Sequence, residues 1–120
     1  MDSTEPPLLR LSGERLGTTW LVHAVGEIDT STAPLLRDQA TPGGPAPALL
    51  ILELTGVTFL DSAGLTVLVQ LAEWCHERAA AFKIVTRNRA VLRVLRISAL
   101  DQVLTVVATL DDALPAGGRG

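Results

Sequence analysis

The sequence predicts an α/β fold, a mixed sheet of about four or five strands with about four helices. Three observations carry that prediction. Leu49–Leu54 is a run of strand length that is apolar but for Glu53, the pattern of a strand buried on both faces of a sheet. It is followed by apolar residues at three- and four-residue steps, Leu65, Leu68, Ala72, Cys75 and Ala79, which mark one face of a long helix. The strand-then-helix alternation then recurs, with Phe82–Thr86 before Arg89–Ile97 and Val103–Val107 before a short helix after Thr109.

Length and composition bound the rest. A chain of 120 residues fits one domain, expected to span 8–114 with flexible tails at 1–7 and 115–120. A net charge of −3, few aromatics and no Tyr argue against direct nucleic-acid binding. Cys75 is the single cysteine and forms no internal disulfide, and no basic-then-apolar leader opens the chain. A cytoplasmic protein is the expectation. The apolar runs are too short for a membrane span.

In chain order, Leu8–Ser12 and Thr18–Val25 read as the strands of a hairpin around a Gly13–Gly17 loop. His23 shares an apolar face, and a histidine satisfied by a backbone group explains it better than a catalytic one. Gly26–Asp29 is a strand-to-helix junction, where Ser31 or Thr32 can cap and Pro34 falls in the first turn. That helix should turn Leu35 and Leu36 inward and end at Thr41, and Pro42–Pro47 should be a flexible connection. After the central strand, Thr55-Gly56-Val57 is expected to turn the chain, and Phe59 and Leu60 to return it to the core.

The long helix is expected over Ser62–Ala80, with Cys75 as a small core residue and no chemistry assigned to His76. Asn88 is an N-cap for Arg89–Ile97, whose Val91, Leu92, Val94 and Leu95 face inward. Arg89, Arg93 and Arg96 form a stripe opposite, either a solvated face or a surface for an acidic partner. Thr109 can cap the last helix, with Asp111 and Asp112 in its first turn.

The residues richest in chemistry stand where the central strand meets the long helix. Ser62 falls at or just before a helix N-terminus, where a phosphate gains roughly 0.3–1 kcal/mol. Gly64 leaves the first turn bare, and close approach by another protein is one reason for that. A hydrolase elbow would need glycine where Leu60 stands and a histidine base in the C-terminal part of the chain. Phosphate-loop, dinucleotide and Cys/His metal spacings are also missing, so the reading is a binding protein without catalytic residues, cofactor or metal. Two explanations of Asp61-Ser62 remain open: a plain helix cap, and a phosphorylation-gated contact.

Asp61-Ser62-Ala63-Gly64-Leu65 after a strand resembles the signature of the STAS-domain anti-sigma factor antagonists. Gly26-Glu27-Ile28-Asp29 followed by Thr32-Ala33 resembles a second segment of that family, and Phe82–Leu114 its strand–helix–strand–helix ending. The likeness covers nearly the whole chain. It implies a STAS-type domain in which Ser62 is phosphorylated and Gly26, Asp29, Thr32, Asp61, Gly64 and Leu65 lie at the partner surface. It implies as partners an anti-sigma factor that is itself a serine kinase, and a metal-dependent serine phosphatase that resets the cycle. The same fold also serves as an accessory subunit of transport systems or in stress-signalling assemblies, the alternative reading. Ala63 replaces a second serine, and Ala99 stands where the family commonly has glycine. If Ala99 is left-handed, it costs on the order of 1 kcal/mol.

Overall fold

The computed structural model describes residues 8–115, so the segments expected as tails, 1–7 and most of 115–120, lie outside the described residues. Five strands form one mixed sheet in the order β1-β2-β3-β4-β5. They are β1 (Leu9–Leu16), β2 (Thr19–Ile28), β3 (Leu49–Leu60), β4 (Ala81–Val85) and β5 (Thr105–Val107). β1 pairs antiparallel with β2, and every later pair is parallel. Parallel neighbours require crossovers, which are helices α1 (Ala33–Ala40), α2 (Ser62–Glu77) and α3 (Arg89–Ile97). A fourth helix, α4 (Leu110–Ala113), closes the described chain.

The helices divide the core unequally. Leu36 of α1, Val67, Leu68 and Leu71 of α2, and Val91 and Leu95 of α3 pack with Val22, Ala24, Leu50, Leu52 and Ile84 of the sheet. On the opposite face Ala113 of α4 covers only Leu21, Leu49, Ile51 and Val85. Leu49–Leu52 is thus buried on both faces, as its four consecutive apolar residues require.

The caps expected at Asn88 and Thr109 form, while the one expected from Ser31 or Thr32 on α1 makes no side-chain hydrogen bond to the helix. Asn88 Oδ1 accepts from the Val91 amide and Thr109 Oγ1 from the Asp112 amide, each satisfying an orphan donor of the first turn. Ala99 is left-handed, with φ 62°. Cys75 is buried, and burial pushes its thiol up to about 11.

Several expected boundaries move. β1 runs on through Gly13 to Leu16, and the hairpin turns at Gly17 and Thr18, Gly17 supplying a φ of 60°. Thr55-Gly56-Val57 is not a turn but lies inside β3. The pairing with β2 shifts register between His23 and Val25 and again between Gly26 and Glu27, so β3 carries the extra residues of two bulges. Consequently Leu54, Val57 and Leu60 are buried at three-residue steps, while Phe59, expected in the core, is 47% exposed. Leu36 faces inward but Leu35 is exposed. α2 ends at Glu77, and Ala79, expected on its buried face, is exposed and left-handed where the Ala80 amide closes on the Cys75 carbonyl. A short 3-10 turn, Leu100–Gln102, occupies the approach to β5, and β4 lies one residue earlier than expected. His23 hydrogen-bonds a carboxylate rather than the backbone: Nε2 lies 3.1 Å from Glu14, and the Glu53 carboxylate stands 3.6 Å from Nδ1.

Candidate functional site

Because β2 and β3 are parallel, they end at the same edge of the sheet, with Ile28 level with Leu60. The Asp61 amide donates to the Ile28 carbonyl at 3.2 Å, tying the two exits together. Each strand is followed by an aspartate, a serine close behind it and a helix. The two turns spend their hydrogen bonds differently.

At the β2 exit, Asp29 Oδ1 accepts from the Ser31 amide at 2.9 Å, the Ser31 hydroxyl at 2.7 Å and the Thr32 amide at 3.1 Å. The Ser31 hydroxyl contributes most to holding the Asp29 carboxyl below its ordinary range, because each donor stabilises the charged form. Thr32 is buried, donates to the Glu27 carbonyl at 2.9 Å and accepts from the Asp29 amide at 2.8 Å. Thr32 therefore builds the turn from inside and makes no side-chain cap to α1.

At the β3 exit, Asp61 is the N-cap of α2, its Oδ1 accepting from the Ala63 amide at 2.9 Å and the Gly64 amide at 3.3 Å. Ser62 is the first residue of the helix and exposed, and its hydroxyl makes no hydrogen bond to another described residue. Capping and the free hydroxyl are thus divided between two residues. Asp61 already uses the amides of Ala63 and Gly64 that an anion would seek. Leu65 is half-buried, its amide donating to the Asp61 carbonyl at 3.0 Å.

The two glycines serve the interior. A Cβ on Gly26 would stand 2.0 Å from the Leu8 carbonyl oxygen, which accepts from the Glu27 amide at 2.8 Å, and φ at Gly26 is +127°. Gly64 is buried, and a Cβ there would stand 2.5 Å from Leu60 Cδ1 and 3.0 Å from Ile28 Cγ2. Its bareness seats α2 against the strand exits, a requirement met before any partner arrives.

The edge thus brings together Asp29, Asp61, Ser62 and Leu65. It also carries Phe59, which sequence reasoning placed inside; the three-residue spacing of Leu54, Val57 and Leu60 was the available signal. His23, in the middle of β2, and His76, in the last turn of α2, lie away from this edge. Among the described residues no cluster of three or more His, Cys, Asp or Glu could hold a metal ion, and no helix is long and apolar enough to cross a membrane.

Two parallel strands that end level, each leading through an aspartate into a helix, describe the edge of this mixed sheet, and the STAS domain model matches residues 12–113. The chain belongs to the STAS domain family. It is 33% identical over 99 residues to the anti-sigma-F factor antagonist RsfA of Mycobacterium tuberculosis, covering 80% of this chain and 77% of that one. The crystal structure of an anti-sigma factor antagonist from Mycobacterium paratuberculosis superposes with a TM-score of 0.77 at 33% identity, covering 88% of this chain and 90% of that one. The fold is also that of the anti-sigma factor antagonist SpoIIAA in its unphosphorylated form, with a TM-score of 0.73 at 19% identity over 87% of this chain and 92% of that one.

Proposed function

We propose that this protein is an anti-sigma factor antagonist whose binding is switched off by phosphorylation of Ser62. The observation that carries the reading is the exposed hydroxyl of Ser62, which makes no hydrogen bond to another described residue, on a helix whose cap is supplied by Asp61. The names of its relatives, RsfA among them, support the partner class.

Unphosphorylated, the edge formed by Asp29, Asp61, Ser62 and Leu65 docks against an anti-sigma factor, which then releases its sigma factor. Gly26, Thr32 and Gly64 support that edge by fixing the two strand exits. The anti-sigma factor is itself a serine kinase and transfers the γ-phosphoryl group of ATP to the Ser62 hydroxyl. The product carries about −1.5 to −2 added charge beside Asp61. Repulsion and bulk then act at the interface, and a loss of about 3 kcal/mol weakens the complex more than about a hundredfold. A metal-dependent serine phosphatase restores the hydroxyl. The protein itself needs no catalytic group for this cycle, and its place is the cytoplasm, with its kinase.

Intact-mass measurement and peptide mapping of the protein from its native host test the reading, with Ser62→Ala as control. One phosphate on Ser62, absent from the control, is expected. An unmodified Ser62 across growth conditions would reduce it to a surface residue beside a cap and return weight to a transport-subunit or scaffold role.

A further inference from the structure

Along α2, Ser62, Thr66, Val69 and Glu73 stand at i, i+4, i+7 and i+11, and all are exposed. That spacing stacks them into one stripe, with Val69 about 10 Å and Glu73 about 16 Å from Ser62 along the axis. At Val69 the stripe opens into a cleft of about 580 Å³. Val69 and Ala72 form one wall and Leu100, Val103 and Leu104 the other, with Glu73 and Glu77 among the lining residues. Val69 is 38% and Val103 75% exposed, apolar surface that the core leaves unused.

The charge of the cleft is specific in sign. Glu77 is met by Arg78 at 3.5 Å, whereas Glu73 makes no salt bridge with a described residue. The C-terminal half of α2 adds the negative end of the helix dipole, and the one basic group among the lining residues is the His76 imidazole, set between the two glutamates. An apolar floor beside unmatched negative charge fits a ridge of apolar side chains flanked by Lys or Arg.

We propose that this cleft is a docking groove for an amphipathic helix with a basic flank, carried by the same partner that engages Ser62; the assignment rests on the phosphoswitch reading above. The two contacts lie on one helix face and fall within the footprint of a standard interface, about 800 Å² per partner. Phosphorylation disturbs the Ser62 end and leaves the groove intact. The groove therefore contributes to affinity in both states of the switch.

The test uses the full chain and the host anti-sigma kinase that phosphorylates Ser62, with binding followed by calorimetry. Val69→Asp and Glu73→Lys alter exposed positions, and circular dichroism checks that the fold is kept. Each is expected to weaken binding by about tenfold or more, and Glu73→Lys also to slow association at low salt. Binding within about twofold of wild type for both variants, while Ser62→Asp abolishes it, would remove the groove and leave the switch standing. Dependence on the groove without dependence on Ser62 would keep the groove and remove the phosphoswitch. Self-association of the chain that the same substitutions abolish would assign the groove to a second copy and overturn the proposal. No binding by any anti-sigma kinase of the host would overturn both.

Discussion

Helices α1 and α2 leave adjacent parallel strands in similar ways, each behind an aspartate and a serine, yet only one serine is free. Ser31 gives both its amide and its hydroxyl to Asp29. Ser62 lies one residue, not two, after its aspartate, so the carboxylate reaches past it to the amides of Ala63 and Gly64. One residue of spacing separates a serine built into a turn from a serine left exposed at the start of a helix. The first arrangement also uses Thr32 as an internal brace, and the second uses Gly64 to bring the helix against Leu60 and Ile28.

The largest expected effect exploits that contrast. Ser62→Asp should weaken anti-sigma kinase binding by about a hundredfold, through charge placed at the interface. Ser31→Ala should leave Ser62 phosphorylation intact, since its hydroxyl serves only the Asp29 turn. Equal loss from the two variants in a binding titration would break the distinction.

Stability measurements sharpen it further. Gly64→Ala adds a methyl group where Leu60 and Ile28 already stand, and overpacking should cost about 1–3 kcal/mol, more than the gain of up to about 1 kcal/mol in helix propensity. Thermal unfolding should show a lowered midpoint. Asp61→Ala removes the cap of α2 and should cost about 1 kcal/mol, while Asp61→Asn keeps most of it. Denaturant titration of the two variants separates the cap from the charge.

How much of this was legible in the sequence depends on whether the cause is local. Asn88, Thr109 and Asp61 act on amides two or three residues away, so their side-chain chemistry announces them. The α/β alternation was legible for the same reason, whereas the left-handed Ala99, found with φ 62°, was raised only as a condition by the glycine the family commonly has there. Replacing Ala99 with Gly should stabilise the fold by about 0.5 kcal/mol, the relief of strain outweighing the freer unfolded chain. An unchanged or lower midpoint of thermal unfolding would count against that strain.

The rest depended on partners distant in the chain. Gly56 looked like a turn because a glycine after Thr55 breaks a strand pattern, but its β2 neighbour Val25 shows a bulge, with a Cβ on Gly56 only 2.9 Å from Val25 Cγ2. The inward role of Gly64 and the clash that Gly26 avoids with the Leu8 carbonyl likewise exist only once the strands are side by side. Leu35 could not be told from Leu36 in a helix of eight residues with an apolar pair.

The smallest effect is a dependence on acid. The Asp29 carboxyl is held below its ordinary value of 3.8, chiefly by the Ser31 hydroxyl, so folding favours its charged form. Its contribution is full above the ordinary value and is lost as the pH falls through the lowered one. Asp29→Asn should flatten the acid limb of the stability curve, and a curve identical to wild type would show that the turn does not carry the charge.

The central claim is that one phosphate at the free serine changes binding without changing the fold. The most direct measurement compares stoichiometrically phosphorylated and unmodified protein, each titrated with the anti-sigma kinase and each examined by amide-resolved NMR. The account predicts an affinity loss of about a hundredfold with chemical-shift changes confined to the Asp29 and Asp61 turns and the first turns of α2. Unaltered affinity, or a loss accompanied by shifts throughout the sheet, would contradict it.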